Sequence, residues 1–422
     1  MTKFEIAHQR LVAACTARDS HEDPADPSTV QAMQIALHLP KQNPPARSEV
    51  LAAAAERQRT HGDVISLCAG QPSTGAPRAA REAAVAAIEA DALGYTETVG
   101  IRPLREAIAA YHRDLGVDDV SADDVVVTTG SSGAFTLLFL AAFDGGDEVW
   151  MTRPGYPAYR NTLRALGTSV VELACGAEVR YQPTVAMLEA ERVARGAAPR
   201  GLVVASPANP TGTIIDADEL AAIARWCDAH GVLLVSDEIY HGISFGRATS
   251  SAWQTSRQGA VIGSVSKFFS MTGWRVGWML VPAHLRRRVA ILASNLTICP
   301  PAVSQHAALA ALGEAARGEL EEHVETYRRN RELVQRRLPE IGVTTYAPPD
   351  GAFYAWCDVA HLTDDSARWC ADVLAATGVA ITPGIDFDPV DGHRFMRMSL
   401  AVASDELDEA FDRMVRFVGS SS

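Results

Sequence analysis

The sequence predicts an α/β protein in which a large, mostly parallel β-sheet is accompanied by a smaller α+β domain. The chain has 422 residues, more than one ordinary hydrophobic core accommodates, so we expect two domains. Up to about residue 282, short β-rich runs alternate with helical patterns, which is typical of a parallel sheet covered by helices on both faces. Beyond residue 283, long helical patterns precede the remaining strands and indicate the second domain.

The elements can be predicted in chain order. Residues 1–40 form a predicted leader, with an amphipathic helical pattern over 3–18 and an acidic linker over 19–28. A helix is predicted after Pro44 and Pro45, with Ser48 as its N-cap and Gly62 at its end. The predicted strands are 64–67, 125–129, 148–152, 202–206, 232–236, 261–265, 276–281, 352–357, 379–381 and 395–400. The predicted later helices are 103–115, 133–143, 218–230, 285–296, 302–316, 320–338 and 404–418.

Domain boundaries follow from this order of elements. We expect residues 41–65 to join the small domain, 66–300 to form the large domain, and 301–422 to complete the small domain.

Composition narrows the function classes. Hydrophobic residues make up 47% and charged residues 21%, as in a globular soluble protein. The formal net charge of −13 argues against nucleic acid or an anionic membrane surface as the main partner. Seven scattered cysteines form no CxxC pair, so we expect a reducing, cytoplasmic compartment and no metal site. No run is long enough to span a bilayer, and no apolar signal-peptide core is present.

Unusual residues follow the predicted strands, at the sheet edge where open α/β proteins bind ligands. The segment 128–133 (TTGSSG) precedes a helix and could cradle a phosphate with Ser131 and Ser132, although a simple helix cap is the alternative. Tyr156, in the segment 153–157, could stack on a flat heteroaromatic ring or merely pack in a turn. The segment 206–212 (SPANPTG) fixes Asn209 in a rigid turn.

A carboxylate and a lysine complete this pattern. Asp237 comes where a buried strand ends, so it requires a cationic partner such as a pyridinium N–H, unless it only caps the next turn. The segment 264–278 (SVSKFFSMTGWRVGW) places Lys267 among small and apolar residues. A partly desolvated lysine amine is nucleophilic enough to form a Schiff base, and Ser264 and Arg275 could bind a phosphate beside it.

These motifs together resemble the class I/II aminotransferases of fold type I, the aspartate aminotransferase superfamily, from about Pro45 to the C-terminus. The resemblance implies pyridoxal 5′-phosphate (PLP) as the cofactor and a PLP-binding large domain, with a mostly parallel seven-stranded sheet sandwiched by helices. It implies that Lys267 bonds to the cofactor aldehyde, that Asp237 binds the ring nitrogen, and that Tyr156 stacks on the ring. The remaining implied roles are Asn209 and Tyr240 at the phenolic oxygen, and Ser131, Ser132, Ser264 and Arg275 at the phosphate.

Three further segments extend the resemblance. Arg397, in the segment 395–399 (FMRMS), matches the arginine that binds the substrate α-carboxylate at two points, and Gly70 matches a glycine whose backbone contacts the same group. Tyr95 matches a tyrosine that reaches the phosphate of the neighbouring subunit, which implies a homodimer with shared active sites. Asn295 and Thr297 lie where relatives approach the partner site. The phosphate loop departs from the family, since it carries Ser132 where a basic or amide residue is common.

The implied reaction is transfer of an amino group between an L-amino acid and a 2-oxo acid by a ping-pong mechanism. The aromatic residues Tyr156, Phe353 and Tyr354 are expected near the site, and there is no obvious additional arginine to bind a second carboxylate. A neutral aliphatic substrate such as valine or alanine is therefore the first expectation, with pyruvate or 2-oxoglutarate as acceptor. Aspartate or aromatic aminotransferase activity and a PLP-dependent β-lyase remain alternatives. A DNA-binding regulator is disfavoured because the leader is short and acidic.

Overall fold

A computed structural model describes residues 46–90 and 93–420. The predicted leader, the amphipathic pattern within it and Cys15 therefore lie outside the described residues. The first described helix, α1 (Ala46–His61), begins two residues before Ser48, so the prediction of Ser48 as the N-cap was wrong. Proline suits the entry to a helix and not its interior, so Pro44 and Pro45 in the sequence favour a helix start before Ser48. Gly62 ends α1 with a positive φ of 71°, as predicted.

The large sheet has seven strands in the order β2-β8-β7-β6-β5-β3-β4. They are β2 (Val125–Thr128), β3 (Glu148–Arg153), β4 (Ser169–Ala174), β5 (Gly201–Ala205), β6 (Leu233–Asp237), β7 (Ala260–Ser264) and β8 (Gly277–Leu280). Only β8 runs antiparallel to its neighbours, so the predicted mostly parallel sheet is confirmed.

Both faces of this sheet are buried. Successive residues of β3 and β5 belong alternately to two apolar cores: Trp150 and Leu202 to one, and Val149 and Val203 to the other. The alternation arises because neighbouring side chains on a strand point to opposite faces. It explains why the strands appear in the sequence as continuous apolar runs.

Helices cover these cores. They are α2 (Arg78–Glu89), α3 (Arg102–Asp114), α4 (Gly130–Ala142), α5 (Pro157–Ala165), α6 (Val185–Arg195), α7 (Ala217–His230), α8 (Ala283–Leu296) and α9 (Ala302–Ala311). The helix predicted over 302–316 divides at Gly313, after which a short 3-10 turn (Glu314–Ala316) leads to α10 (Arg317–Arg337). No helix in the described parts of the chain is both long and apolar enough to cross a membrane.

A third apolar core lies under two smaller sheets. One sheet pairs β11 (Thr382–Pro383), β12 (Phe395–Ser399) and β9 (Tyr354–Asp358) in antiparallel fashion, with β12 in the middle. The other pairs β1 (Ile65–Ser66) with β10 (Val379–Ala380) in parallel. The remaining helices, α11 (Ser366–Thr377) and α12 (Ser404–Ser420), pack beside them. The predicted strand over 64–67 therefore exists only as the short β1, outside the large sheet, and β4 takes its place as the seventh strand.

Candidate active site

A cavity of about 420 Å³ opens at the carboxyl ends of the central strands. Most of the predicted site residues line it: Gly70, Ser131, Ser132, Tyr156, Asn209, Asp237, Tyr240, Lys267, Arg275 and Arg397. These residues lie on β12, at the carboxyl ends of β1, β2, β3, β5, β6 and β7, or in the loops that follow those ends. Because the carboxyl ends of parallel strands meet at one edge of the sheet, segments that are far apart in the chain come together there. The cavity has the position and the size expected of a small-molecule site.

Lys267 lies on the turn that follows β7. Its Nζ donates a hydrogen bond to the carbonyl oxygen of Gly70, 2.6 Å away, and lies 5.7 Å from the centre of the Tyr240 ring. The apolar segment around the lysine packs into the protein, so the amine points into the cavity instead of into bulk water. A lysine in this setting is suited to bond covalently to an aldehyde.

Asp237 is the last residue of β6 and is buried. Burial raises the pKa of this carboxyl to about 6, and hydrogen bonds from Tyr159 and from the Ile239 backbone N–H, together with the charge of Lys267, act against that rise. A cation brought against Asp237 would stabilise its ionised form. Tyr159 was not predicted as a site residue, and its only sequence signal is its position three residues after Tyr156, the N-cap of α5.

The N-terminus of α4 and Arg275 form a second part of the cavity. Gly130 has a φ of 70° and presents no Cβ to the guanidinium of Arg275. Gly277 on β8 approaches so closely that an added Cβ would lie 2.5 Å from the Ser131 backbone nitrogen. Free backbone N–H groups, the hydroxyls of Ser131 and Ser132, and a guanidinium make this corner suited to a phosphate dianion.

Two predicted cofactor ligands do not line the cavity. The hydroxyl of Ser264 is buried and donates to the carbonyl oxygen of Val276 at 3.1 Å, with the Ser266 hydroxyl 2.9 Å away. Ser266, which the sequence analysis did not single out, lines the cavity. Tyr95 lies on the surface and is 84% exposed. Its predicted contact with a phosphate would therefore require a second subunit.

Arg397 occupies the opposite end of the cavity, in the middle of β12, and is completely buried. Its guanidinium donates to the side-chain oxygen of Asn209 at 2.9 Å and to the carbonyl oxygen of Cys68 at 2.8 Å. The rings of Tyr354 and Phe387 lie 4.4 Å and 4.8 Å from its central carbon. The arginine is thus held rigidly by partners on several elements, which suits it to a two-point contact with a carboxylate.

The chemistry of these groups fits PLP. The buried carboxylate, which requires a cation, suits the ring nitrogen of that cofactor, and the lysine suits its aldehyde. The N-terminus of α4 with Arg275 suits its phosphate.

Comparisons with known proteins agree with the geometry. Residues 62–414 match the family Aminotransferase class I and II. The valine–pyruvate aminotransferase of Mycobacterium tuberculosis is 54% identical over 370 residues, which are 87% of this chain and 94% of that protein. The aspartate/prephenate aminotransferase of Thermus thermophilus is 35% identical over 89% of this chain and 96% of its own length. The crystal structure of an aminotransferase from Mycobacterium tuberculosis superposes with a TM-score of 0.87 at 49% identity, covering 94% of this chain and all of that one.

Fold and cavity together define an enzyme of the aspartate aminotransferase fold. The chain belongs to the class I and II aminotransferase family, and it is a PLP-dependent transaminase.

Proposed function

We propose that this enzyme exchanges the amino group of a small neutral aliphatic L-amino acid, with valine or alanine as the first candidates, for the oxo group of pyruvate or 2-oxoglutarate. The observation that carries the proposal is the set of basic groups in the cavity. Among the described residues that line it, these are Lys267, Arg275 and Arg397. Each has a task in the reaction itself, so this set leaves no cation for a second substrate carboxylate.

Apolar side chains also line the cavity. Leu51 of α1 and Ile239 line it. A charged side chain placed against them would lose its hydration without a partner, whereas an aliphatic one loses nothing. The relative at 54% identity is named for valine and pyruvate, which supports the same substrate class.

The proposed mechanism assigns one task to each group. Bound PLP supplies an electron sink for the carbanion formed at the substrate Cα. Arg397 binds the α-carboxylate and thereby orients the Cα–H bond toward Lys267, whose Nζ takes that proton and later returns it. Asp237 keeps a proton on the ring nitrogen, and Tyr240 and Asn209 donate hydrogen bonds to the phenolic oxygen. The first substrate leaves its amino group on the enzyme and departs as a 2-oxo acid before the second substrate binds. The kinetics are therefore ping-pong.

The cofactor's other contacts are part of the proposal. Tyr156 would stack on the ring, and Ser131, Ser132 and Arg275 would hold the phosphate, whereas the predicted ligand Ser264 lies behind the cavity wall with its hydroxyl donated to Val276. Gly70 contributes its backbone to the carboxylate end. We propose residues 66–300 as the PLP-binding domain and residues 41–65 with 301–422 as the small domain. The separate apolar cores support two domains, but Ala307, Ala308 and Ala311 of α9 and Leu320 of α10 belong to a core of the large sheet, so α9 packs with the large domain.

We propose a homodimer in which Tyr95 reaches the phosphate of the partner subunit. The Gln305 amide donates to the Thr96 hydroxyl and to the Pro300 carbonyl, each at 3.0 Å, and so joins the segment of Tyr95 to that of Ile298. Both segments expose large apolar side chains: Leu93, Tyr95, Leu296 and Ile298. A joined surface of this kind is typical of an interface between subunits.

A cytoplasmic location is proposed on the state of the cysteines. Five cysteines within the described residues are free thiols, as expected in a reducing compartment: Cys175, Cys227, Cys299, Cys357 and Cys370.

The substrate proposal is tested with the purified holoenzyme and a panel of amino acids. The near-visible absorbance of the bound cofactor should bleach with valine or alanine and remain with aspartate. One molecule of the corresponding 2-oxo acid should appear for each molecule of cofactor that bleaches. Lys267→Ala serves as the control and should lose the absorbance band and nearly all turnover. Faster bleaching by aspartate would overturn the substrate class, and pyruvate plus ammonia as products would indicate a β-lyase.

A further inference from the structure

We infer that Tyr354 is a positioning residue that orients the hydroxyl of Tyr240 toward the cofactor and couples it to the carboxylate-binding Arg397. The inference rests on the proposed contact between Tyr240 and the phenolic oxygen of PLP. The sequence predicts Tyr354 only as an aromatic residue near the site, and neither the resemblance nor the motifs give it this role.

The first observation is a buried pair of hydroxyls. The oxygens of Tyr240 and Tyr354 lie 2.7 Å apart, and both side chains are buried. Burial raises the pKa of Tyr240 well above its ordinary value, so this hydroxyl keeps its proton throughout the working pH range. A hydroxyl has a single proton to donate. If Tyr240 donates to the cofactor, Tyr354 must be the donor to Tyr240.

The second observation is that neighbouring side chains hold Tyr354 in place. Its ring lies against the Arg397 guanidinium at 4.4 Å and against the ring of Phe353 at 4.9 Å. A Cβ added to Gly70 would lie 2.8 Å from the Tyr354 hydroxyl oxygen, so glycine at this position admits the hydroxyl. Residue 354 is the first of β9, and its backbone pairs with Ser399 two positions beyond Arg397 on β12. The same side chain therefore contacts both the cofactor-side tyrosine and the substrate-side arginine.

The charged and titratable groups around Tyr240 set the direction of the effect. They are Asp237 at the end of β6, Tyr159 on α5, Lys267 after β7, Tyr354 on β9 and Arg397 on β12. A donor aimed at the phenolic oxygen stabilises its negative charge and lowers the pH at which the bound cofactor changes its absorbance. A donor to Tyr240 strengthens that hydrogen bond through cooperativity. Loss of the Tyr354 hydroxyl should raise the titration midpoint.

The test compares three variants of the holoenzyme by absorbance titration with pH. Tyr354→Phe should raise the midpoint by about 0.3 to 1 pH unit, as expected for one modest hydrogen bond. Tyr240→Phe should raise it further, and Tyr346→Phe, a control in the same domain, should leave it unchanged. If Tyr240→Phe gives no shift, the proposed role of Tyr240 fails. If Tyr240→Phe shifts the midpoint and Tyr354→Phe does not, only the inference about Tyr354 is overturned.

A second measurement separates the hydroxyl from the ring. 3-Methylbutanoate, a carboxylate with the carbon skeleton of valine and no amine, is titrated at a pH below all the midpoints. Tyr354→Phe keeps the ring over Arg397 and should bind it within about twofold of the wild type, whereas Tyr354→Leu should bind it about fivefold more weakly, since a cation–π contact is lost. Equal weakening in both variants would show a general collapse of the site and overturn the separation of roles.

Discussion

Among single residues, Asp237 shows how much of a site can be inferred from sequence. A lone carboxylate at the end of a buried apolar strand is conspicuous, and the structure places it in the cavity as expected. Its partner Tyr159 was not predictable, because the two residues are separated by 78 positions and a tyrosine on an apolar helix face is indistinguishable from a core residue. Ser266 was missed for the same reason, and Tyr354 was expected only as an aromatic residue near the site, because the roles of both depend on neighbours that only the folded chain supplies.

The raised pKa of Asp237 makes the stability of the cofactor-free protein depend on pH. Between an unfolded pKa near 3.8 and a folded pKa of about 6, the folded protein binds more protons than the unfolded one, so its free energy of unfolding falls as pH rises through this window. Asp237→Asn removes the effect. The melting temperature of the variant minus that of the wild type should rise between pH 4 and 6 and level off above it.

Thermal unfolding of both apoproteins across this pH range measures the difference. Glu238, whose burial also raises its pKa, to about 7, is present in both proteins and contributes to both curves. A difference in melting temperature that stays constant with pH would contradict the assignment.

For whole elements, sequence patterns located most strands and helices to within a few residues, since period and turn residues are local signals. They failed for β4, an edge strand whose residues are mostly half-exposed and whose apolar run is only two valines long. The same patterns predicted 64–67 as a strand of the same kind as those of the large sheet. Which sheet a short apolar run joins depends on a partner more than 300 residues away, and that partner leaves no local trace.

The contact between β8 and α4 yields a prediction about cofactor affinity. Gly277→Ala would place a methyl group 2.5 Å from the Ser131 nitrogen and push the N-terminus of α4 out of position. Overpacking of this kind costs about 1 to 3 kcal/mol, which corresponds to a rise of about fivefold to about 150-fold in the Kd for PLP.

Gly273→Ala is the matched control, because an added Cβ there meets nothing within 4 Å. Equilibrium dialysis with PLP compares the two variants with the wild type. Equal affinity in Gly277→Ala and Gly273→Ala would mean that the helix position does not govern phosphate binding.

Considered as a whole molecule, the protein exposes an apolar surface around Tyr95 and Ile298 that we assign to a dimer. Ile298 has a φ of 63°, a conformation that aspartate adopts more readily than isoleucine. Ile298→Asp therefore adds a charge with no more backbone strain than the wild type has. It should raise the dimer dissociation constant at least about tenfold, because an unpaired charge is costly in a desolvated interface.

Sedimentation velocity at several protein concentrations reads out this effect, and the PLP content of the separated species shows whether the monomer retains its cofactor. Val193→Asp, at an exposed position on α6, is the control and should sediment as the wild type does. Identical sedimentation of both variants would place the interface elsewhere.

The contacts of β1 and of the segment that follows it have a consequence for folding during synthesis on the ribosome. Cys68 and Gly70, directly after β1, accept hydrogen bonds from Arg397 and Lys267, which are synthesised some 330 and 200 residues later. The segment around Cys68 and Gly70 therefore lacks Arg397 as a partner until almost the entire polypeptide has been synthesised. A truncated nascent chain can thus assemble much of the large sheet while its catalytic cleft still lacks one wall.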